Sequence, residues 1–367
     1  EISACLVGSE MCIRDRPRVT SLDFAAFYCA GEAVAQHADP YRVMPLGACE
    51  ARVSRNGLIL AGGIMPAPLP PYALGAFAFL SRLPFALAEH VFDLLSCAAL
   101  LLSILLVSRT TRQPLALVAC AFVPIAWLVV VLGQTLILLL AALSAAGFLL
   151  DRNRDRWAAL CACAMMAEPH LGLPVCLALF LYRPRTRLIF IGAATMVVLF
   201  SLAAIPWSLT REYIREVLPL HAMTEAQAEV QISFTSLLTF FGVPDHLAIV
   251  LGGVQYAATA ALGILAARGA GSRSALAFVP ALFALVGGSF LHGDDLLLGM
   301  PAALLFWEKR PFVAALAIIA VSPHWGVDGG AIGLIAMVPA VILLAYAGIS
   351  LRRMLLAAAV LVFVGLI

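Results

Sequence analysis

The stretch WAALCACAMMAEPHLGLPVCLALFLY, residues 157–182, decides how this chain is folded. It is apolar almost throughout, yet Arg152, Arg154 and Arg156 precede it, Arg183, Arg185 and Arg187 follow it, and Glu168, Pro169 and His170 stand at its centre. Arginines close to a membrane span prefer the cytoplasmic side, so both ends belong on one side. Two full spans need about 40 residues; each arm offers about a dozen, roughly 18 Å of helix against a hydrocarbon core of about 30 Å. Proline removes a backbone donor and clashes with the preceding turn, which places the break at the centre. The stretch predicts a re-entrant or strongly tilted hairpin with Glu168, Pro169 and His170 at its tip.

Outward from the hairpin, apolar runs of spanning character cover 85–107, 114–131, 135–150, 188–206, 248–267, 275–291, 296–307, 312–321, 331–349 and 354–367. Hydrophobic residues make up 63% of the chain and charged ones 12%, with a mean hydropathy of +1.01. A soluble domain is about half apolar and a quarter charged, so the expected class is an all-α polytopic integral membrane protein of about ten spans. The other basic clusters, Arg109/Arg112, Arg268/Arg273, Lys309/Arg310 and Arg352/Arg353, fall inside together with the arginines flanking the hairpin. The loops 17–71, 133–134, 207–245, 292–295 and 322–328 and the hairpin tip then face outward. Ionisable groups at membrane depth are costly and usually line a cavity, so this convergence predicts a site at the outer face, beside lipid.

Several classes drop out. A net charge of +2 with scattered cations gives no footing for nucleic acid. No Gly-rich phosphate loop, hydrolase triad or zinc spacing appears, so no cofactor and no metal are expected. Cys97, Cys120, Cys161, Cys163 and Cys176 lie in apolar runs as small hydrophobes; Cys29 and Cys49 can pair if their loop faces an oxidising compartment. Residues 1–16 have no spanning run and no cleavage site, and they look like translated sequencing adapter. Residues 17–367 read as one transmembrane domain lacking its first span.

The first outer loop opens with SLDFAAFYCAGEAVAQHADPY, residues 21–41. Asp23 is open to two readings, N-cap of the helix 24–35 or reacting carboxylate. His292, Asp294 and Asp295 likewise either cap the next helix or touch substrate, and they make an incomplete shell for a metal. Glu168 and His170 sit at a helix break inside the membrane, where a functional role is the stronger reading. Glu89, His90 and Asp93 read as headgroup-level residues, and Tyr28, Tyr41, Tyr72 and Trp325 as interfacial aromatics that can also stack on a sugar. Residues 209–231 read as an amphipathic surface helix interrupted at Pro219.

The ordered series Asp23-Phe24 with Phe27-Tyr28, Pro40-Tyr41, Pro70-Pro71-Tyr72, Gly133-Gln134, the loop DRNRDR, Glu168-Pro169-His170-Leu171 and His292 with Asp294-Asp295 resembles glycosyltransferase family 87. That family belongs to the GT-C class of polytopic enzymes and includes polyprenyl-phosphate-mannose-dependent mannosyltransferases of bacterial envelopes. The resemblance implies an inverting hexosyltransferase at the outer face of the plasma membrane. Its donor is a polyprenyl-phosphate sugar, its acceptor a glycolipid or glycan, its base Asp23. Tyr28, Tyr41, Arg42, Gln134, Glu168, His170, His292, Asp294 and Asp295 become substrate contacts, with Arg42, His170 and His292, then Arg52 and Arg55, as candidates to neutralise the donor phosphate. Two positions depart from the family pattern: Glu168 stands where a Lys precedes the Pro, and Leu136 where Gly-Gln-x-Asn has its Asn. The rival readings are a transporter or lipid flippase, and an inactive member of the family.

Overall fold

The computed structural model describes residues 21–53, 67, 69–226 and 233–307, and all regular structure among them is helical. The expected runs 312–321, 331–349 and 354–367, the loop 322–328, Arg55 and residues 1–16 lie outside the described residues. The helices are α1 (Leu22–Ala35), α2 (Val43–Val53), α3 (Pro71–Leu80), α4 (Phe85–Thr111), α5 (Leu115–Leu132), α6 (Leu136–Asp151), α7 (Asp155–Ala164), α8 (Pro169–Tyr182), α9 (Arg187–Ala204), α10 (Trp207–Glu212), α11 (Leu218–Ala226), α12 (Phe234–Phe240), α13 (Asp245–Gly269), α14 (Ala275–Val286) and α15 (Met300–Leu305).

Three segments are long and apolar enough to cross a bilayer: Phe85–Thr111, Pro184–Ala204 and Asp245–Gly269. A fourth is gained if α5, bent by 49° between Val123 and Ile125, counts as one span. The bend surrounds Pro124, whose missing N–H interrupts the ladder. The other expected spans are shorter helices, with α6 at 16 residues and α14 at 12. The run 296–307 becomes a 3-10 turn, Asp294–Gly299, followed by the six residues of α15. The exposed side chains of Leu188, Ile191, Val198 and Phe200 on α9 are those of a lipid-facing helix. The chain is a helical membrane protein.

By contacts the chain forms two compact units: Glu1–Ala98 with Trp127–Ile137 and Ile191–Ala228, and Ala99–Ala126 with Leu138–Phe190 and Glu229–Ile367. In the first, α1 packs on α2 and α3. A Cβ on Gly31 would lie 2.3 Å from the Phe77 carbonyl carbon, so only glycine permits this crossing. Phe24, Phe27, Phe77, Phe85 and Phe92 fill the core beside it. Cys29 and Cys49 form a disulfide that joins α1 to α2 at a Cα separation of 5.6 Å. The segment from Trp207 to Ala226 is helical throughout, in contrast to the break expected at Pro219. A π turn over Tyr213–Val217 precedes the proline. Widening the helix there relieves the clash between the proline ring and the carbonyl one turn back.

In the second unit α8 and α13 pack on α14, and residues 157–182 form the expected hairpin. α7 ends at Ala164, a 3-10 turn covers Met165–Ala167, and α8 starts at Pro169, a position where its missing N–H costs nothing. The arms meet where Gly172 reaches Met165: a Cβ there would lie 2.4 Å from the Met165 carbonyl oxygen. Gly172→Ala is expected to force the arms apart and to destabilise the protein by about 2 kcal/mol. Thermal unfolding of the purified protein checks this; an unchanged midpoint would show that the arms are not in backbone contact.

Candidate active site

The end of α5 builds the first cluster. Gly133 takes a left-handed conformation, φ +76°, its N–H donating to Val130 O and that of Gln134 to Val129 O at 3.0 Å each. This pair of hydrogen bonds is the glycine-terminated helix stop that satisfies the last carbonyls. The Ser21 N–H donates to Val131 O at 2.7 Å, which ties the start of α1 to the same turn. A Cβ on Gly133 would stand 2.6 Å from Phe24 Cβ, so glycine is needed for both its backbone angle and its clearance. The Gln134 side chain is thereby aimed at α1, and its Nε2 donates to Asp23 Oδ2 at 2.9 Å.

Asp23 is half-buried at the second position of α1, while Ser21 occupies the cap position without a side-chain bond. The N-cap reading of Asp23 is therefore set aside, since the carboxylate is held by a side-chain amide from a distant segment. Tyr28 is buried; its hydroxyl donates to Leu83 O at 2.8 Å and its ring packs edge-on against Phe85. Tyr41 stacks on Tyr213 at 5.0 Å and its hydroxyl donates to Leu69 O at 3.0 Å. Burial, with Tyr213 and Asp39 beside it, pushes the Tyr41 phenol far above its ordinary range. Arg42 is exposed and pairs with Glu212 and, at 3.5 Å, with Asp39; Glu212 above all raises its pKa further. Tyr213 and Glu212 thus clasp the surface segment onto the first outer loop, a role that its amphipathic pattern does not reveal.

The second unit carries two further clusters. At the hairpin tip, His170 Nδ1 lies 4.0 Å from Glu168 Oε2, and the Tyr256 hydroxyl donates to His170 O at 2.6 Å. Tyr256 was not among the expected residues; the one signal is the polar pair Gln255-Tyr256 within a largely small and apolar span. In the turn before α15, the His292 N–H donates to Asp295 Oδ2 at 2.8 Å and the Asp295 N–H to His292 O at 3.2 Å. Asp295 is thereby tied to the backbone of its own turn, although the 3-10 turn has no side-chain cap at Gly293. Asp294 is 6% exposed, near His292 and the backbone N–H groups of Asp294 and Asp295. Among the described residues, no group of three or more His, Cys, Asp or Glu side chains is arranged to hold a metal ion.

A family model described as glycosyltransferase family 87 matches residues 69–291, more than half of the chain. The chain belongs to glycosyltransferase family 87. No curated protein and no solved structure matches it. A family 87 chain with apolar spanning helices is a membrane-bound glycosyltransferase, acting on a sugar donor and an acceptor. The match takes in Gln134, Glu168 and His170 and ends one residue before His292; Asp23, Tyr28, Tyr41 and Arg42 precede it. It is shorter than the extent of the residue-by-residue resemblance, and Asp23 is linked to the matched region through Gln134.

Gly133→Ala is expected to destabilise the protein by about 2 kcal/mol or more, from left-handed strain together with the Phe24 clash. Thermal unfolding reads the loss, and a variant as stable as the parent would overturn this account of the turn.

Proposed function

We propose that this family 87 chain transfers a hexose, mannose in first place, from a polyprenyl-phosphate donor to an envelope glycolipid or glycan at the outer face of a bacterial plasma membrane. The observation that carries the reading is the Asp23 carboxylate held by Gln134 Nε2 at the start of α1. Asp23 acts as general base. As the acceptor oxygen attacks the anomeric carbon, its proton passes to the Asp23 carboxylate and the bond from the anomeric carbon to the phosphate oxygen breaks. The polyprenyl phosphate leaves with the electron pair, and the configuration inverts. A phosphate leaving group needs charge neutralisation more than protonation, so one carboxylate suffices.

The disulfide between Cys29 and Cys49 supports the outward orientation, because disulfides persist in oxidising compartments. Asp23 lies on the same helix as Cys29, less than two turns away. In the second unit, His170 with its Glu168 neighbour and His292 with Asp294 are the proposed contacts for phosphate and sugar hydroxyls. Arg42, committed to Glu212 and Asp39, has less charge to offer a donor.

The test is transfer of radiolabelled mannose from polyprenyl-phosphate-mannose to membrane glycolipids, parent against Asp23→Asn. Loss of a general base costs about 10²–10⁴-fold, so transfer is expected to fall by at least about 100-fold at unchanged protein level. Equal transfer by both would remove Asp23 from the reaction. No transfer by the parent would turn the search to other lipid-phosphate sugars and to the transporter reading.

A further inference from the structure

The hairpin brings together polar groups that sugar transfer does not use. Its register runs from Gly172 against Met165, through Ala162, whose carbonyl accepts from Cys176 Sγ at 3.3 Å, to the N-terminus of α7 packed on the turn Pro184–Thr186. Asp155 opens α7 and Arg183 precedes that turn. Asp155 Oδ1 and Arg183 Nε are both buried and both lack a hydrogen-bond partner among the described residues. Neither atom reaches the surface, but both residues are partly exposed, so a ligand at this end of the hairpin would meet their remaining side-chain atoms.

The surroundings define its charge. Asp151 Oδ1 accepts the Ser274 N–H at 2.9 Å, which joins the loop that carries Arg152 and Arg154 to the segment that carries Arg273. Arg268 lies over the Tyr182 ring at 5.6 Å, and Arg187 over Phe180 at 5.6 Å with its Nε donating to Phe180 O at 3.1 Å. Arg152, Arg154, Arg185, Arg187, Arg268 and Arg273 are all exposed. Immediately beside these cations, Trp157, Leu181 and Leu188 are 62%, 52% and 82% exposed, an apolar belt that acyl chains would cover.

We propose that this end of the second unit binds the headgroup of an anionic glycerophospholipid. The phosphate sits on Arg183 and the exposed guanidinium groups, a glycerol hydroxyl donates to Asp155, and the acyl chains run along Trp157, Leu181 and Leu188. The adjoining apolar belt favours a lipid over a free phosphate. The site is separate from the sugar chemistry, and its test reads lipid binding alone.

Native mass spectrometry of the full chain in detergent, titrated with phosphatidylglycerol and with phosphatidylcholine, measures it. Phosphatidylglycerol is expected to bind at least about fivefold tighter, and Arg183→Gln to lose about fivefold, as does the exposed Arg187→Gln, which keeps the test valid should Arg183→Gln fail to fold. Asp155→Ala is expected to abolish the preference for phosphatidylglycerol over phosphatidic acid, which lacks the glycerol hydroxyls. Arg109→Gln with Arg112→Gln is expected to leave binding unchanged. Equal binding of phosphatidylcholine, an equal loss in the Arg109/Arg112 variant, or displacement by equimolar soluble glycerol phosphate would overturn the proposal.

Discussion

Helices surrounded by lipid gain nothing from hiding apolar side chains against each other, so they hold together where their surfaces approach closely. The contacts that glycine permits set the frame here. Gly31 lies against the Phe77 backbone, Gly172 against Met165, Gly263 against Phe283 and Gly287 against Thr259, each with no room for a Cβ. Backbones at that distance gain dispersion contacts along a whole turn of helix, which a longer side chain would forfeit by holding them apart. The crossing of α1 over α3 and the hairpin of α7 and α8 are both of this kind. They determine where Asp23 and the hairpin tip stand.

Such packing fixes helices but does not aim side chains, and aiming is done by a few directed bonds. The Asp23–Gln134 contact joins residues 111 positions apart and depends on a turn that only glycine makes. The Tyr256 hydroxyl does comparable work on the hairpin, holding the first turn of α8 by a backbone carbonyl while leaving the His170 ring outside that bond. In an apolar setting a satisfied polar contact is costly to break, because the alternative is a buried group without a partner.

How much of this the sequence shows depends on whether the cause is local. The hairpin is legible because its cause lies within 36 residues: too little length for two spans, arginines at both ends, a proline at the centre. The all-helical membrane class is legible from composition. The span count is less so, because apolar runs do not reveal where a helix ends; α14 stops at Val286 and the run after it bends through glycines and a 3-10 turn. The continuous helix through Pro219 shows that a π turn can absorb a break that propensity predicts. Asp23 and Gln134 each stand out in the sequence, but their bond does not. It follows from the tertiary placement of Ser21 against Val131, which no local pattern encodes.

The partners of the acids sort them by what each can do. Glu32 meets Arg52, Asp39 and Glu212 meet Arg42, and Asp295 is committed to the backbone of its own turn. In its contact with Gln134, Asp23 meets a neutral amide instead. The amide orients the carboxylate by donating to one of its oxygens. Among the acids of the first outer segment, Asp23 is the one shown oriented by an amide that comes from the end of α5. Fixed orientation of this kind is what the proposed role of Asp23 as base would draw on.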